Sequence, residues 1–165
     1  MPRAIAFRVD GNSRMGTGHL ARCRALADAC VRRGWNVFWI TSFADGWQFA
    51  PAGKKVKALS VPRGLPERRH ALAIRKPLQP GDAVVLDGYH FSRGLEMELR
   101  RLGLKVATID DNARRFFAAH WILNGNVHAR QLRYRRAKGT KVALGPRYFI
   151  FSEEIPDSNS KIIRA

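Results

Sequence analysis

Four short apolar runs of this sequence each end in a polar stretch that contains Asp or Asn. The runs finish in VDGNSR, LDGYH, IDDN and LNGN, and segments with helical periodicity lie between the earlier ones. Nearly uniform apolar runs are typical of parallel strands that are covered on both faces. Strands that alternate with helices predict an α/β fold with a mainly parallel sheet.

The predicted elements account for most of the chain up to residue 126. Strands are predicted at 3–9, 36–41, 55–61, 83–87, 104–110 and 120–126, and helices at 19–33, 65–75 and 92–103. Ser92 is the predicted N-cap of the third helix, and Gly34 and Gly103 end the first and third helices. We expect one α/β domain over residues 1–150 and a polar tail or linker over 151–165.

The charge of the chain is strongly positive. Its 165 residues include 30 Lys and Arg, 22 of them Arg, against 13 Asp and Glu, which gives a formal net charge of +17. Such a balance attracts polyanions, whether nucleic acid, nucleotide or an anionic membrane. The densest basic segment, RQLRYRRAKGTK (130–141), has the charge to hold a phosphate backbone. We interpret it instead as a solvated helix face, because it matches no nucleic-acid-binding module.

Two further features bear on compartment. No apolar run approaches the roughly 20 residues of a membrane span, and the N-terminus lacks the pattern of a signal peptide. Cys23 and Cys30 lie two turns apart on one face of the predicted helix 19–33, too far apart to form a disulfide. We therefore expect a cytoplasmic protein with two reduced core thiols and no membrane partner.

The polar strand ends are expected to form one cleft. In open α/β sheets, ligands bind beyond the carboxyl ends of the strands. Those ends carry Asp10, Asp87, Tyr89 and the pair Asp110–Asp111. Strand ends are also polar simply because loops are polar, but four acid- or amide-bearing ends with Tyr89 and His19 among them favour a ligand site.

The stretch GTGHLA (16–21) allows two interpretations. It fits the G-x-G-x-x-A pattern of a dinucleotide fold, although about six residues separate it from the strand and no acid ends the second strand. Alternatively, Gly16, Thr17 and Gly18 bring the backbone close to a ligand, and His19 opens the helix. The positive end of the helix dipole favours a neutral imidazole, which a general base needs. We predict this catalytic role for His19 over that of an ordinary first-turn residue.

At this point a family resemblance becomes specific. The stretch FRVDGNSRMGTGHLARCRALADA resembles the N-terminal signature of the UDP-2,4-diacetamido-2,4,6-trideoxy-β-L-altropyranose hydrolases of pseudaminic acid biosynthesis, relatives of two-domain GT-B type glycosyltransferases. The likeness continues in order through VVLDGYHF, TIDDNARR, WILNGN and LGPRYFIFSEEI, and covers nearly all of residues 4–155. It implies a Rossmann-like open parallel sheet with flanking helices, the N-terminal half of a GT-B type fold.

The resemblance also implies a reaction, in which water displaces UDP at the anomeric carbon of the sugar with inversion. It implies that His19 activates the water, that no metal or other cofactor is required, and that Tyr89 contacts the sugar or orders the water. The role of the acid pair stays open between structure and lining of the site. The implied substrate-binding residues are Asp10, Asn12, Arg14, Gly16, Thr17, Gly18, Asp87, Tyr89, Asp110 and Asp111.

This sequence departs from the family in two ways. Family members commonly carry a histidine between the Asp and the Tyr, where this chain has Gly88 and places His90 after the tyrosine. Family chains are also roughly twice as long, as two α/β domains require. Because their second domain holds most of the UDP contacts, we expect a UDP-sugar as substrate, a second chain or domain as partner, and weak activity of this chain alone.

Two alternatives to the hydrolase remain open at this stage. One is a truncated half of a GT-B type sugar transferase, in which an acceptor hydroxyl takes the place of water. The other is a non-enzymatic basic module whose partner is a polyanion, although we do not expect that partner to be nucleic acid.

Overall fold

The computed structural model describes residues 3–11 and 16–151. In chain order its strands are β1 (Ala4–Val9), β2 (Asn36–Thr41), β3 (Val56–Ser60), β4 (Ala83–Asp87), β5 (Lys105–Ile109), β6 (Phe116–Phe117), β7 (Trp121–Asn124), β8 (Arg135–Arg136) and β9 (Lys141–Leu144). Its α-helices are α1 (Gly18–Arg32), α2 (Glu67–Arg75) and α3 (Arg93–Arg101). Three 3₁₀ helices cover Ala44–Phe49, Val127–Gln131 and Pro146–Tyr148.

In the described part of the chain, β6 and β8 form a separate two-stranded sheet, and the other strands form a seven-stranded sheet in the order β3-β2-β1-β4-β5-β7-β9. All neighbouring strands in it are parallel, so their carboxyl ends lie along one edge. From β1 the chain moves outward through β2 and β3, then returns to the other side of β1 and continues through β4 and β5. Such a reversal of strand order opens a crevice between the two central strands, here β1 and β4.

Helices cover both faces of the sheet because alternate strand residues on each face are apolar. On one face, Ala6, Val84 and Leu86 pack against residues of α2 and α3 such as Ile74 and Leu99. This face is completed by side chains that include Ile40, Leu95 and Val106. The burial of apolar side chains on both faces is what fixes the register of the strands.

On the other face of the sheet, α1 packs through Leu20, Cys23 and Ala27 against Phe7 and Val9. Cys23 is buried and Cys30 is partly buried in this cluster, and both are free thiols, as predicted. The two helix-bearing faces place α1 on one side of the β1–β4 crevice and α2 and α3 on the other.

The predicted strands and helices over residues 3–126 are confirmed, with ends that differ by one to two residues. The Ser92 side chain caps α3 by accepting a hydrogen bond from the backbone N–H of Leu95 at 3.1 Å. Gly34 and Gly103 follow α1 and α3 with φ of 81° and 80°, a left-handed conformation that glycine adopts without strain.

The prediction of a solvated helix face at 130–141 is wrong. This segment contains the end of a 3₁₀ helix, the short strand β8 and the start of β9, and β8 pairs with β6. Most of its basic side chains are exposed, as predicted, while Tyr134 and Thr140 are buried. Two buried residues six apart do not make the apolar stripe that would anchor a helix.

No helix within 3–11 and 16–151 is both long enough and apolar enough to cross a membrane. The predicted tail, from residue 152 onward, lies outside the described residues.

Candidate functional site

His19 lies at the β1–β4 crevice, where it is the second residue of α1. Its Nδ1 is 2.6 Å from Oδ1 of Asp87, the last residue of β4, and its side chain is 14% exposed. Nδ1 also lies 2.9 Å from Nη2 of Arg22, but that nitrogen donates to Asp87 at 2.6 Å. Because the shorter contact of Nδ1 is to a carboxylate oxygen, which can only accept, we assign the ring proton to Nδ1. The Nε2 atom then keeps its lone pair and is available to take a proton.

Asp87 is fully buried at the centre of these contacts. Burial by itself raises the pKa of this carboxyl, but hydrogen bonds from Arg22 and His19 outweigh burial and hold the pKa below its usual value. The Cys23 thiol adds a longer contact of 3.4 Å to Oδ2. Asp87 is therefore an ionised carboxylate that fixes the His19 ring.

Arg22 joins the two acids of the site, and sequence reasoning missed it. It follows His19 by one turn, and its Nε and Nη2 donate to Asp87 at 2.6 Å each. Its Nη1 donates to both carboxylate oxygens of Asp111 at 2.9 Å. Burial lowers the pKa of Arg22, but its two carboxylate partners raise it above the ordinary value. The i, i+3 spacing from His19 was the available signal, because it places both side chains on one helix face.

Tyr89 and Asn126 complete what we call the His19 cluster, together with His19, Arg22, Asp87 and Asp111. The Tyr89 hydroxyl donates to Asp111 at 3.3 Å, and its ring meets the His19 ring edge-on with centroids 4.9 Å apart. Asn126 Nδ2 donates to the same carboxylate at 3.0 Å. Tyr89 is 65% exposed, so it is the member of the cluster most open to a ligand.

Asp110 has a structural role in its loop. Its Oδ2 accepts from the backbone N–H groups of Asn112 and Ala113 at 3.0 and 2.7 Å. These bonds hold Ala113 at a φ of 54°, a left-handed conformation that is unusual for a residue other than glycine. The backbone carbonyl of Asp110 also accepts from the buried Tyr134 hydroxyl at 3.2 Å.

Asp10 belongs to a second group of side chains, which we call the Arg8 cluster and define as Arg8, Asp10, Ser42, His70 and His90. Its carboxylate accepts from Arg8 Nη1 and Nη2 at 2.6 and 2.8 Å, and from the backbone N–H of Ser42 at 2.7 Å. His90 Nε2 lies 3.0 Å from the same carboxylate. These contacts place Asp10 on the α2–α3 face of the sheet. The expected grouping of Asp10 with His19 is therefore not found.

The glycine-rich stretch leads into α1. Gly16 has a φ of 86°, and Gly18 is the first helical residue. Thr17 is the N-cap without a side-chain hydrogen bond, and its carbonyl accepts from the N–H of Ala21 at 2.9 Å. Asn12 and Arg14, two residues expected around His19, lie outside the described residues.

Neighbouring side chains restrict the space around Gly88. A Cβ at this position would lie 3.0 Å from Cε1 of His90 and 3.1 Å from Cε2 of Phe91. The His90 ring thus limits the space that a larger residue 88 would need. His90, which follows the tyrosine, also contacts Asp10.

No group of three or more His, Cys, Asp or Glu side chains is arranged to hold a metal ion in the parts of the chain that the structure describes. In the His19 cluster, the Asp87 carboxylate contacts the His19 imidazole, and Arg22 lies between the carboxylates of Asp87 and Asp111.

Comparison with solved structures finds proteins of similar fold. The crystal structure of MurG from Acinetobacter baumannii matches with a TM-score of 0.51 at 16% sequence identity, over 75% of this chain and 41% of the MurG chain. A UGT transferase from Siraitia grosvenorii, solved in complex with UDP, matches with a TM-score of 0.46 at 18% identity, over 67% of this chain and 29% of that one. No family model and no curated protein matches the sequence.

The likeness to MurG is one of fold. Together with the parallel sheet, it confirms the predicted fold class, a GT-B-like domain in which helices flank a Rossmann-like parallel sheet. This chain spans about two fifths of the length of the MurG chain, with 41% covered.

Proposed function

We propose that this chain is the base-bearing domain of a nucleotide-sugar hydrolase that releases UDP from a 2,4-diacetamido-2,4,6-trideoxy hexose. The observation that carries the proposal is the 2.6 Å contact between His19 Nδ1 and Asp87, which leaves Nε2 as a proton acceptor at the crevice. The sugar and the pathway, pseudaminic acid biosynthesis, come from the family resemblance of residues 4–155.

In the proposed reaction, the oxygen of a water molecule bonds to the anomeric carbon while the bond from that carbon to the UDP oxygen breaks. His19 Nε2 takes the proton of the water, and UDP leaves with the bonding electron pair. Asp87 stabilises the imidazolium that forms and is a positioning residue, because its buried oxygens reach the reaction only through His19 and Arg22. Attack from the side opposite to UDP inverts the anomeric carbon.

The charge of the His19 cluster supports a reaction in which another domain or chain binds the diphosphate. Arg22 is the single cation among its six residues, and its guanidinium is bonded to both carboxylates. With neutral histidine, the cluster carries a formal charge of −1, which repels a diphosphate. The groups that bind the diphosphate must therefore lie outside this cluster, as the family resemblance implies.

Release of UDP from the isolated chain tests the proposal. We expect slow release that His19→Ala lowers by about 10²-fold or more, as loss of a general base does. The matched control is His128→Ala, since His128 is exposed and lies outside the cluster. Equal rates for His19→Ala and the unchanged chain would remove the assigned base, and rapid turnover by the isolated chain would contradict diphosphate binding by another domain or chain.

Nitrogen NMR of the histidine rings gives a readout that does not depend on turnover. We expect His19 with its proton on Nδ1, and a shift of its Nε2 signal when the UDP-sugar is added. The opposite tautomer would contradict the assigned role of Asp87. Product analysis separates hydrolysis, which gives a free reducing sugar, from transfer to an acceptor hydroxyl, which gives a glycoside.

A further inference from the structure

A cavity of about 450 Å³ on the α2–α3 face of the sheet takes no part in the proposed reaction. It lies beyond the carboxyl ends of β1 and β2, on the other side of the β1–β4 crevice from α1. Its volume falls in the range of small-molecule sites, roughly 300–1,000 Å³. A water molecule, the second reactant of the proposed hydrolysis, does not require a cavity of this size.

The floor of the cavity is the Arg8 cluster. Arg8 and Asp10 are each only 2% exposed, and Arg8 also donates to His70 Nε2 at 2.9 Å and to the Ser42 hydroxyl at 2.6 Å. An ion pair buried this deeply is a weak source of stability, since apolar residues of similar volume often stabilise a fold as well or better. Its polar groups are instead held in fixed positions, as a binding site requires.

The rim of the cavity offers both donors and acceptors. His70 accepts from Arg8 through Nε2, so its ring proton is on Nδ1, which is a donor. His90 is 44% exposed on its side chain and borders the opening. Glu67 accepts from the Ser92 hydroxyl and has further lone pairs, while Arg63 lies over the ring of Phe43 with its guanidinium carbon 4.8 Å from the centroid.

The charges that line the cavity cancel. Arg8 and Arg63 are matched by Asp10 and Glu67, in a chain whose formal net charge is +17. Because the two cations and two carboxylates of the described lining balance, a phosphate or carboxylate ligand gains no net attraction there, whereas an uncharged polyol requires none. Phe43 and Leu65 add an apolar wall, against which the C–H face of a sugar ring can pack.

From the volume, the mixed hydrogen-bonding groups and the balanced charge, we infer that this cavity is a second binding site, and that its ligand is an uncharged sugar ring. The site is separate from the His19 cluster and does not rest on the proposed hydrolysis. A sugar bound there lies across the β1–β4 crevice from His19, with the loop of Tyr89 and His90 between them.

The test measures binding of methyl α-D-glucoside to the full chain by saturation-transfer NMR, with α-D-glucose 1-phosphate as the charged counterpart. The glucoside has no nucleotide to release, so the result is independent of hydrolysis. We expect the neutral glycoside to bind at millimolar concentration and the phosphate to bind at least several-fold more weakly. Tighter binding of the phosphate, or no binding of the glycoside, would overturn the inference.

Substitutions test whether the glycoside binds in this cavity. Glu67→Gln keeps the shape of the rim but removes a charged acceptor, and we expect it to weaken glycoside binding about 3- to 10-fold. Glu98→Gln is the matched control, since Glu98 is on α3, pairs with Arg101 and does not line the cavity. His19→Ala is expected to leave glycoside binding unchanged. Equal binding by Glu67→Gln and Glu98→Gln, or loss of binding in His19→Ala, would place the sugar elsewhere and refute the site.

Discussion

Arg22 shows how much one side chain can organise. Its planar guanidinium bonds Asp87 through two nitrogens and Asp111 through the third. It thereby ties the ends of β4 and β5 to the first turns of α1. A lysine would retain the charge but not the fork of donors, so it could not satisfy both carboxylates.

At this scale we expect Arg22→Lys to lower the free energy of unfolding by about 1–3 kcal/mol, because hydrogen bonds to partly buried charged groups are lost. Urea unfolding at neutral pH measures the change as a shift in midpoint. Arg101→Lys on α3 is the control, since the Arg101 side chain is 68% exposed and its pair with Glu98 lies at the surface. We expect this control to change stability by less than about 0.5 kcal/mol. Similar losses in the two variants would show that Arg22 is merely a surface residue.

The sequence predicts the position of His19 better than that of Asp10, for a physical reason. His19 follows from a local feature, a histidine at the start of a helix that packs on the first strand. Asp10 shares a strand face with Arg8, because side chains two apart in a strand point the same way. Which face carries α1 depends on the strand order and the helix crossovers, which no local pattern contains.

At the scale of elements, the contact between His70 and Arg8 links α2 to the end of β1. Burial and then the neighbouring Arg8 charge lower the pKa of His70 to about 4, against the opposing effect of Asp10. His90 also disfavours the protonated ring. The neutral imidazole is thus the form that accepts the Arg8 hydrogen bond.

This lowered pKa makes stability depend on pH. Between about pH 6.5 and pH 4 the unfolded chain binds a proton at His70 that the folded chain does not, so stability falls as the pH falls through this window. We expect His70→Gln, which can still accept from Arg8, to flatten the decline, as measured by urea unfolding at successive pH values. His128→Gln is the exposed control. An unchanged slope in His70→Gln would contradict the buried neutral ring.

The elements that periodicity predicted are the long ones with a buried stripe, such as α1 and β4. The pair β6–β8 and the strand β9 lacked such a signal. Both residues of β8 are exposed arginines, and Lys141 and Val142 at the start of β9 are also exposed. β9 adds to the edge strand β7 of the large sheet, and β6 and β8 pair only with each other, so the tertiary structure alone specifies these strands.

At the scale of the whole molecule, the positive charge is concentrated enough to test the polyanion alternative. Arg133, Arg135 and Arg136 are exposed within seven residues of exposed Arg130, and the segment 130–141 contains no acid. Closely spaced cations bind a polyanion more strongly than the same number of scattered cations, because each helps to displace condensed counterions.

We expect the triple variant R133S/R135S/R136S to elute from a heparin column at lower salt than R68S/R69S/K76S, which removes three exposed charges on or beside α2. The two variants have the same net charge, so the difference reports the distribution of the cations. His19→Ala is expected to elute like the unchanged chain. Equal elution of the two triple variants would assign retention to the overall charge of the molecule.

One peptide unit, between Tyr89 and His90, joins the His19 cluster to the Arg8 cluster, since Tyr89 contacts His19 and His90 contacts Asp10. A shift of the backbone at that peptide displaces both side chains. A substitution that changes ligand specificity on one side of the sheet would thus also change the position of side chains on the other side. Selection on the His19 cluster therefore also acts on the Arg8 cluster, and the reverse.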